Sequence, residues 1–174
     1  MAKRETLELS GEGIRLRPIA RSDGTWLSAL YGTNANMAMI PGGIRDDEES
    51  ARHLDLFLAH WDQHKIGMWI IEKEDSEHPV GYAGLRYIEL EGTLQLELGL
   101  IIDRLFWRQG IGFAAVQLIL NFVDTSRPEE CTVALIEPAN IASQTLLARF
   151  GFVYQRDVEC RGTTSQLWCR HNRR

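Results

Sequence analysis

The sequence predicts an α/β fold: one domain with a mixed central sheet of about seven strands flanked by about four helices. Three observations carry this expectation. Apolar residues alternate in short stretches, most plainly at Leu94, Leu96, Leu98, Leu100 and Ile102, which is the period of a strand. Elsewhere they recur at helical spacing, as at Ile111, Ala115, Leu118 and Phe122. The two patterns succeed one another in the order β-α-α-β-β-β-α-β-α-β-β, which indicates a sheet of mixed direction.

Ile14-Arg15-Leu16-Arg17-Pro18-Ile19 alternates and forms a first strand, ended near Pro18. Ser22 or Asp23 caps a short helix carrying Trp26, Leu27, Leu30 and Tyr31, closed by Gly32 and Asn34. The segment from Asn36 to Arg45 contains Pro41-Gly42-Gly43 and reads as a mobile loop. Asp46 and Glu49 form a capping box for the next helix, whose opening acids suit the positive helix end. Its stripe of Ala51, Leu54, Phe57, Leu58 and Trp61 faces the core, with His53, His60 and His64 on a neighbouring stripe. His60 and His64 have the i, i+4 spacing of metal ligands. No cysteine accompanies them and Glu49 is the only nearby carboxylate on that stripe, so no metal is assigned; a solvated or substrate-cleft face is expected.

Gly67 to Lys73 and Pro79 to Glu89 read as two strands, and Glu91-Gly92 as a hairpin turn into the strand that begins at Leu94. After a helix over Gly110–Asp124, Arg127-Pro128 breaks the chain, and Cys131 to Ile136 is a short buried strand. Pro138-Ala139-Asn140 introduces another helix, stopped by Gly151. Phe152-Val153-Tyr154 and Thr163 to Arg170 form a closing hairpin with Arg161-Gly162 at its turn.

With 174 residues and no internal linker, the chain is read as a single domain over 1–174, residues 1–12 being flexible. A net charge of −5 argues against a broad basic surface for nucleic acid. The three cysteines include no CxxC pair, the start lacks the apolar core of a leader, and no run approaches the ~20 apolar residues of a membrane helix. A cytoplasmic protein without a membrane partner is expected. Whether it forms a homodimer is left open.

The chain is organised around Leu94 to Ala115, a strand handing over to a helix through Arg108-Gln109-Gly110-Ile111-Gly112. Such a helix start leaves several N–H groups unpaired, its glycines admit a ligand close to the backbone, and the helix dipole favours negative charge. The stretch reads as a phosphate or pyrophosphate seat, with a purely structural glycine turn as the alternative.

Glu97-Leu98-Gly99, Trp107 to Gly110, Asn140 to Ser143 and Leu147 to Phe152, in this order and spacing, resemble the GNAT acyl-CoA N-acyltransferases. More narrowly they are similar to the RimJ/RimL branch, where Trp107 fits the branch's pattern at the turn. Leu147 is a departure: it stands where many GNATs carry a tyrosine that protonates the leaving thiolate. The resemblance implies a GNAT-like fold and an N-acetyltransferase that moves an acetyl group from acetyl-CoA to a primary amine, either a protein N-terminus or a small molecule.

It also implies roles. Arg108, Gln109, Gly110, Ile111, Gly112, Phe113 and Ala114 would hold the pyrophosphate, chiefly through backbone N–H groups. Leu100, Ile101 and Ile102 would lie along the pantetheine arm where their strand splays from its neighbour. Glu97 would be the general base, through water, against the alternative of a solvent-facing strand glutamate. Asn140 would hold the cofactor arm and Ser143 would donate to the departing thiolate, with helix capping the plain alternative for Asn140. Tyr154 is the spare phenol. The acceptor would be bounded by the Met37–Arg45 loop, the histidine stripe and Thr163 to Gln166.

Two other readings compete. Gly110-x-Gly112-x-x-Ala115, with Glu137 following a strand, satisfies a dinucleotide fingerprint and would suit an NAD-dependent oxidoreductase. Against it, Asp103 to Gln109 separates the strand from the first glycine, where the fingerprint wants a tight junction. The other reading is a non-catalytic acyl-CoA sensor, against which the presence of Glu97, Asn140 and Ser143 argues.

Overall fold

The computed structural model describes residues 7–128, 130–160 and 162–172. Along the chain lie β1 (Leu9–Gly11), β2 (Ile14–Pro18), α1 (Gly24–Tyr31), α2 (Asn34–Met37), α3 (Asp47–His64), β3 (Met68–Lys73), β4 (Pro79–Leu90), β5 (Thr93–Ile102), α4 (Ile111–Ser126), β6 (Cys131–Ile136), α5 (Ile141–Ala148), β7 (Val153–Cys160) and β8 (Thr163–His171). The strands form one eight-stranded sheet in the order β1-β2-β3-β4-β5-β6-β8-β7. Only β5 and β6 run parallel, joined through α4; every other neighbouring pair is antiparallel. This is the mixed sheet the sequence predicts, and it is not the parallel doubly wound sheet a dinucleotide fold requires.

Two elements go beyond the expected seven strands and four helices. Leu9–Gly11, expected in a flexible start, instead pairs with β2 from Leu9–Leu16 to Gly11–Ile14. Residues 1–6 lie outside the described residues. Asn34, expected to close α1, instead opens α2, which runs into the expected 36–45 loop and buries Met37 completely. Neither piece is long enough to display a hydrophobic period, so neither is visible without its packing partner. Arg161, one of the two expected hairpin residues, is outside the described residues; its neighbour Gly162 has φ +76°.

Local signals otherwise act as expected. Asp46 Oδ1 accepts from the Glu49 N–H at 2.8 Å while Glu49 Oε2 accepts from the Asp46 N–H at 3.0 Å, completing the capping box of α3. Glu91 (φ +51°) and Gly92 (φ +76°) make the two-residue turn between β4 and β5. Asp23 does not cap α1 with its side chain. Its carboxylate takes the Arg17 guanidinium at 2.8 and 2.9 Å and the Ala20 N–H at 2.8 Å. Arg17 also reaches the buried Glu72, which Arg15 holds from the other side. This cluster joins β2, β3 and the start of α1.

The apolar core is continuous. Ile111, Ala115, Val116, Ile119 and Val123 bury one stripe of α4, and Leu27, Leu54, Phe57 and Trp61 contribute the inner faces of α1 and α3. Trp61 meets Trp69 edge-on, and Trp69 meets Phe122 of α4. His60 Nδ1 lies 2.8 Å from the Ile66 carbonyl, and its Nε2 accepts from the Tyr87 N–H at 2.9 Å. Both nitrogens are therefore engaged in tying α3 to the sheet, a different outcome from a solvated face. Among the described residues no helix is long and apolar enough to cross a membrane.

Candidate active site

The site is made by a change in how β5 is paired. Against β4 it forms a continuous ladder from Leu90–Thr93 to Gly81–Ile102. Against β6 it pairs only at Leu96–Thr132 and Glu97–Val133. Beyond Glu97 the two strands diverge, leaving the β6-facing main-chain groups of β5 without a strand partner. The gap they open is lined on both sides, and it divides into two connected chambers. Met39, Ile40, Leu100, Ile101, Asn140, Ser143 and Leu146 border both.

The larger chamber, about 460 Å³, lies between Leu100, Ile101 and Ile102 of β5, Asn140 to Ser143 and the start of α4. Gly110 caps that helix at φ +77° with no side-chain hydrogen bond to its first turn, whereas Asp46 and Asn140 do cap theirs. The N–H groups of Ile111, Gly112 and Phe113 therefore have no intrahelical acceptor. Arg108 (φ +60°) turns the chain immediately before. Gly110 is explained by its backbone conformation alone, but Gly112 is not. It is helical, and a Cβ built on it would meet Leu100 Cδ2 at an ordinary 3.5 Å. Nothing inside the protein demands a glycine there; its missing side chain widens the chamber. Three bare donors at a positive helix end beside a long apolar groove fit a diphosphate with an extended tail. Trp107, Arg108, Gly110, Ile111 and Gly112 line this chamber, while Gln109, Phe113 and Ala114 stand outside its wall. Phe113 packs on Phe150, and Ala114 is buried.

The smaller chamber, about 110 Å³, holds the titratable groups. Glu97 is buried, not the solvent-facing strand glutamate of the alternative, and its Oε2 accepts from Arg86 Nε at 2.6 Å. Burial works against the charge on Arg86, but the Glu97 carboxylate outweighs it and raises the guanidinium's pKa. No bulge marks Gly99; its missing Cβ makes way for the Met68 methyl group. Asn140 Oδ1 accepts from the Ser143 N–H at 3.1 Å, so the capping role is realised, while both side chains still border the two chambers. Leu147 is buried in the wall of the smaller one. Tyr154 lines neither chamber. It sits on the edge strand, exposed, with its hydroxyl donating to Asp157 at 3.2 Å. Nor do residues 163–166 of the closing hairpin reach the enclosed space, which Met39, Ile40, Pro41 and Arg45 wall instead.

Sequence reasoning missed Arg86, Tyr31 and Tyr82. Arg86 was within reach, because a two-residue turn at Glu91-Gly92 sets a register that pairs it directly with Glu97. The tyrosines come together only in three dimensions. Tyr31 Oη lies 2.6 Å from His53 Nδ1 and 2.8 Å from Tyr82 Oη. Burial and the neighbouring phenol push the Tyr31 pKa far up, and burial raises that of Tyr82, so both stay protonated. Arg45 Nη1, a donor only, is 3.4 Å from the same His53 nitrogen. His53 Nδ1 is thus the acceptor, and the donation runs from Tyr82 to Tyr31 to His53.

Residues 14–153 match the acetyltransferase (GNAT) domain family. The fold matches a GnaT-family acetyltransferase from Bordetella pertussis at a TM-score of 0.81 and 21% identity, over 94% of this chain and 98% of that one. A ribosomal-protein-S5-alanine acetyltransferase from Vibrio fischeri matches at 0.74 and 18%, over 95% and 97%. RimL, a ribosomal L7/L12 alpha-N-protein acetyltransferase in complex with coenzyme A, matches at 0.73 and 18%, over 92% and 95%. The chain belongs to the GNAT acetyltransferase family. It is an acyltransferase whose co-substrate is acetyl-CoA, with relatives of the RimL kind among the structures it resembles.

Proposed function

We propose that this protein transfers the acetyl group of acetyl-CoA to a primary amine by direct attack within a ternary complex. The observation that carries the reading is the divergence of β5 from β6 beyond Glu97. It leaves one continuous gap with bare helix donors at one end and Glu97, Asn140 and Ser143 at the other. Acetyl-CoA supplies an activated acyl carbon and a thiolate leaving group. The N–H groups of Ile111, Gly112 and Phe113 hold the diphosphate, and Leu100, Ile101 and Ile102 border the arm, where an unpaired β5 N–H polarises the thioester carbonyl.

Glu97 serves the acceptor. An ammonium must lose one proton before it attacks and another after the N–C bond forms and the C–S bond breaks. One passes through Glu97 and water to solvent; the other is relayed through the Ser143 hydroxyl, which gives its proton to the departing sulfur and takes up the one that leaves the nitrogen. Arg86, whose Nε donates to Glu97 Oε2, orients that carboxylate as a positioning residue.

The test measures acetyl-CoA binding and thiol release together. Glu97→Gln is expected to lower kcat by roughly 10²- to 10⁴-fold, the usual worth of a general base, with acetyl-CoA affinity kept. Equal turnover by the variant would remove Glu97 from the chemistry. Acetyl-CoA binding with no turnover by the wild type on any amine would favour a sensor.

A further inference from the structure

Half-buried and buried arginines in this protein follow a rule with one exception. Among the described residues Arg15 and Arg17 meet Glu72, Arg17 also meets Asp23, Arg86 meets Glu97, Arg127 meets Glu130, and Arg170 meets Asp124. Arg45 is likewise half-buried and has no carboxylate within ion-pair distance among those residues. It lies with its guanidinium carbon 4.4 Å above the Tyr31 ring and Nη1 3.4 Å from His53 Nδ1. Neither contact neutralises its charge with a counter-ion.

Its position is set all the same. The Arg45 N–H donates to the Tyr31 carbonyl at 3.2 Å, the next residue opens the capping box of α3, and the Tyr31 ring lies beneath the guanidinium. Tyr31 is itself held by Tyr82 and His53. A donor fork pre-organised this way, lining a chamber and lacking an anion, is arranged to receive one.

The rest of that chamber supplies the opposite charge. Glu97 and Glu137 line the β5 and β6 side, and Ser143 stands where the chamber meets the cofactor groove. Arg86 lines the same chamber and pairs with Glu97, so among the described residues Glu137 and Arg45 are the carboxylate and the guanidinium there without an ion-pair partner. The space between these walls is about 110 Å³, and it opens into the larger chamber. Room exists for an amine, an anionic group and few carbons. With Glu97 paired to Arg86, it is Glu137 that disfavours a doubly charged phosphate more than a singly charged carboxylate.

From these observations, and resting on the transferase reading above, we infer that the acceptor is a small amine bearing a carboxylate. Its ammonium faces Glu97 and Glu137 and its carboxylate meets Arg45. Arg45 is then a specificity residue: it touches the acceptor at the end away from the reacting nitrogen.

The experiment compares matched acceptors, alanine with alaninamide and β-alanine with phosphoethanolamine, in wild type and Arg45→Gln. The amide has the less basic and more readily deprotonated amine, so intrinsic reactivity runs against the expected order. Wild type is expected to prefer alanine over alaninamide in kcat/KM. In Arg45→Gln that ratio falls by roughly 10- to 100-fold through KM, the worth of one charge-assisted hydrogen-bonded contact, and Arg45→Lys recovers part of it. Thermal stabilisation by acetyl-CoA reports folding and the donor site separately, since Arg45 does not line the larger chamber. No stabilisation of wild type would bring down the transferase reading itself. Stabilisation with equal use of acid and amide, with a preference for phosphoethanolamine, or with transfer to no amino carboxylate would overturn the inference and leave that reading standing.

Discussion

Gly112 separates two explanations of a glycine-rich turn. A glycine kept for backbone reasons has a positive φ or a colliding Cβ; Gly110 has the first, at +77°, and Gly112 has neither. The Gly112→Ala variant is therefore expected to be more stable than wild type without ligand, by about 0.5–1 kcal/mol, because alanine loses less backbone entropy in a helix. The same methyl group occupies the space beside Leu100 and Ile102, so acetyl-CoA binding is expected to weaken at least roughly 10-fold, a loss of about 1.4 kcal/mol. Calorimetric titration and a urea melt on the same variant read both signs. A stabilised protein with undiminished affinity would take Gly112 out of the donor site. At this scale Glu97 was legible through its Glu-x-Gly setting, but its burial against Arg86 was not, since burial is a property of what the rest of the chain lays over a strand.

Helix α3 shows how one element serves both stability and the site. Its inner stripe packs, His53 faces the small chamber, and His60 nearly two turns later is spent on the Ile66 carbonyl and the Tyr87 N–H. Burial lowers the His60 pKa, with the His64 and Arg86 charges acting the same way and the Ile66 bond opposing them. A histidine whose folded pKa is depressed contributes fully above its unfolded value of about 6.5. Below that pH the unfolded chain takes up the proton first, so the contribution is lost as pH falls toward the folded value. Wild type is expected to lose stability relative to His60→Gln between pH 7.5 and 5.5, as read from urea midpoints at each pH. A pH-independent difference would mean that folding leaves the His60 pKa where it is in the unfolded chain. The helical period placed His53, His60 and His64 on one stripe, but their separate fates depend on which loop or strand each meets.

Across the whole molecule, buried charge holds the parts that flank the site. Arg17 bridges Asp23 and Glu72, whose side chains are only 5% and 3% exposed, and thereby joins the sheet to the helix that carries Tyr31. Arg17→Met leaves Glu72 with Arg15 alone and Asp23 with only the Ala20 N–H, and is expected to cost about 3–5 kcal/mol, visible as a lowered urea midpoint. A loss under 1 kcal/mol would show that water compensates the carboxylates. On the far side Arg170 grips Asp124 of α4 at 2.6 and 2.7 Å and the Phe150 carbonyl at 3.0 Å, holding α4, the end of α5 and β8 together.

The sequence by itself determined the order of all strands and helices but β1 and α2, the turn at Glu91-Gly92, the capping box at Asp46 and the bare start of α4. Each of these is decided by residues within a few positions of one another, through backbone conformation, local hydrogen bonds and hydrophobic period. Only the tertiary structure decided that β5 leaves β6 after Glu97, that Arg86 and Glu97 are buried together, and that Arg45, Tyr31, His53 and Tyr82 share one wall. Those features join residues far apart in the chain, and no local period records which distant side chain will supply a partner, a proton acceptor or an unmet charge.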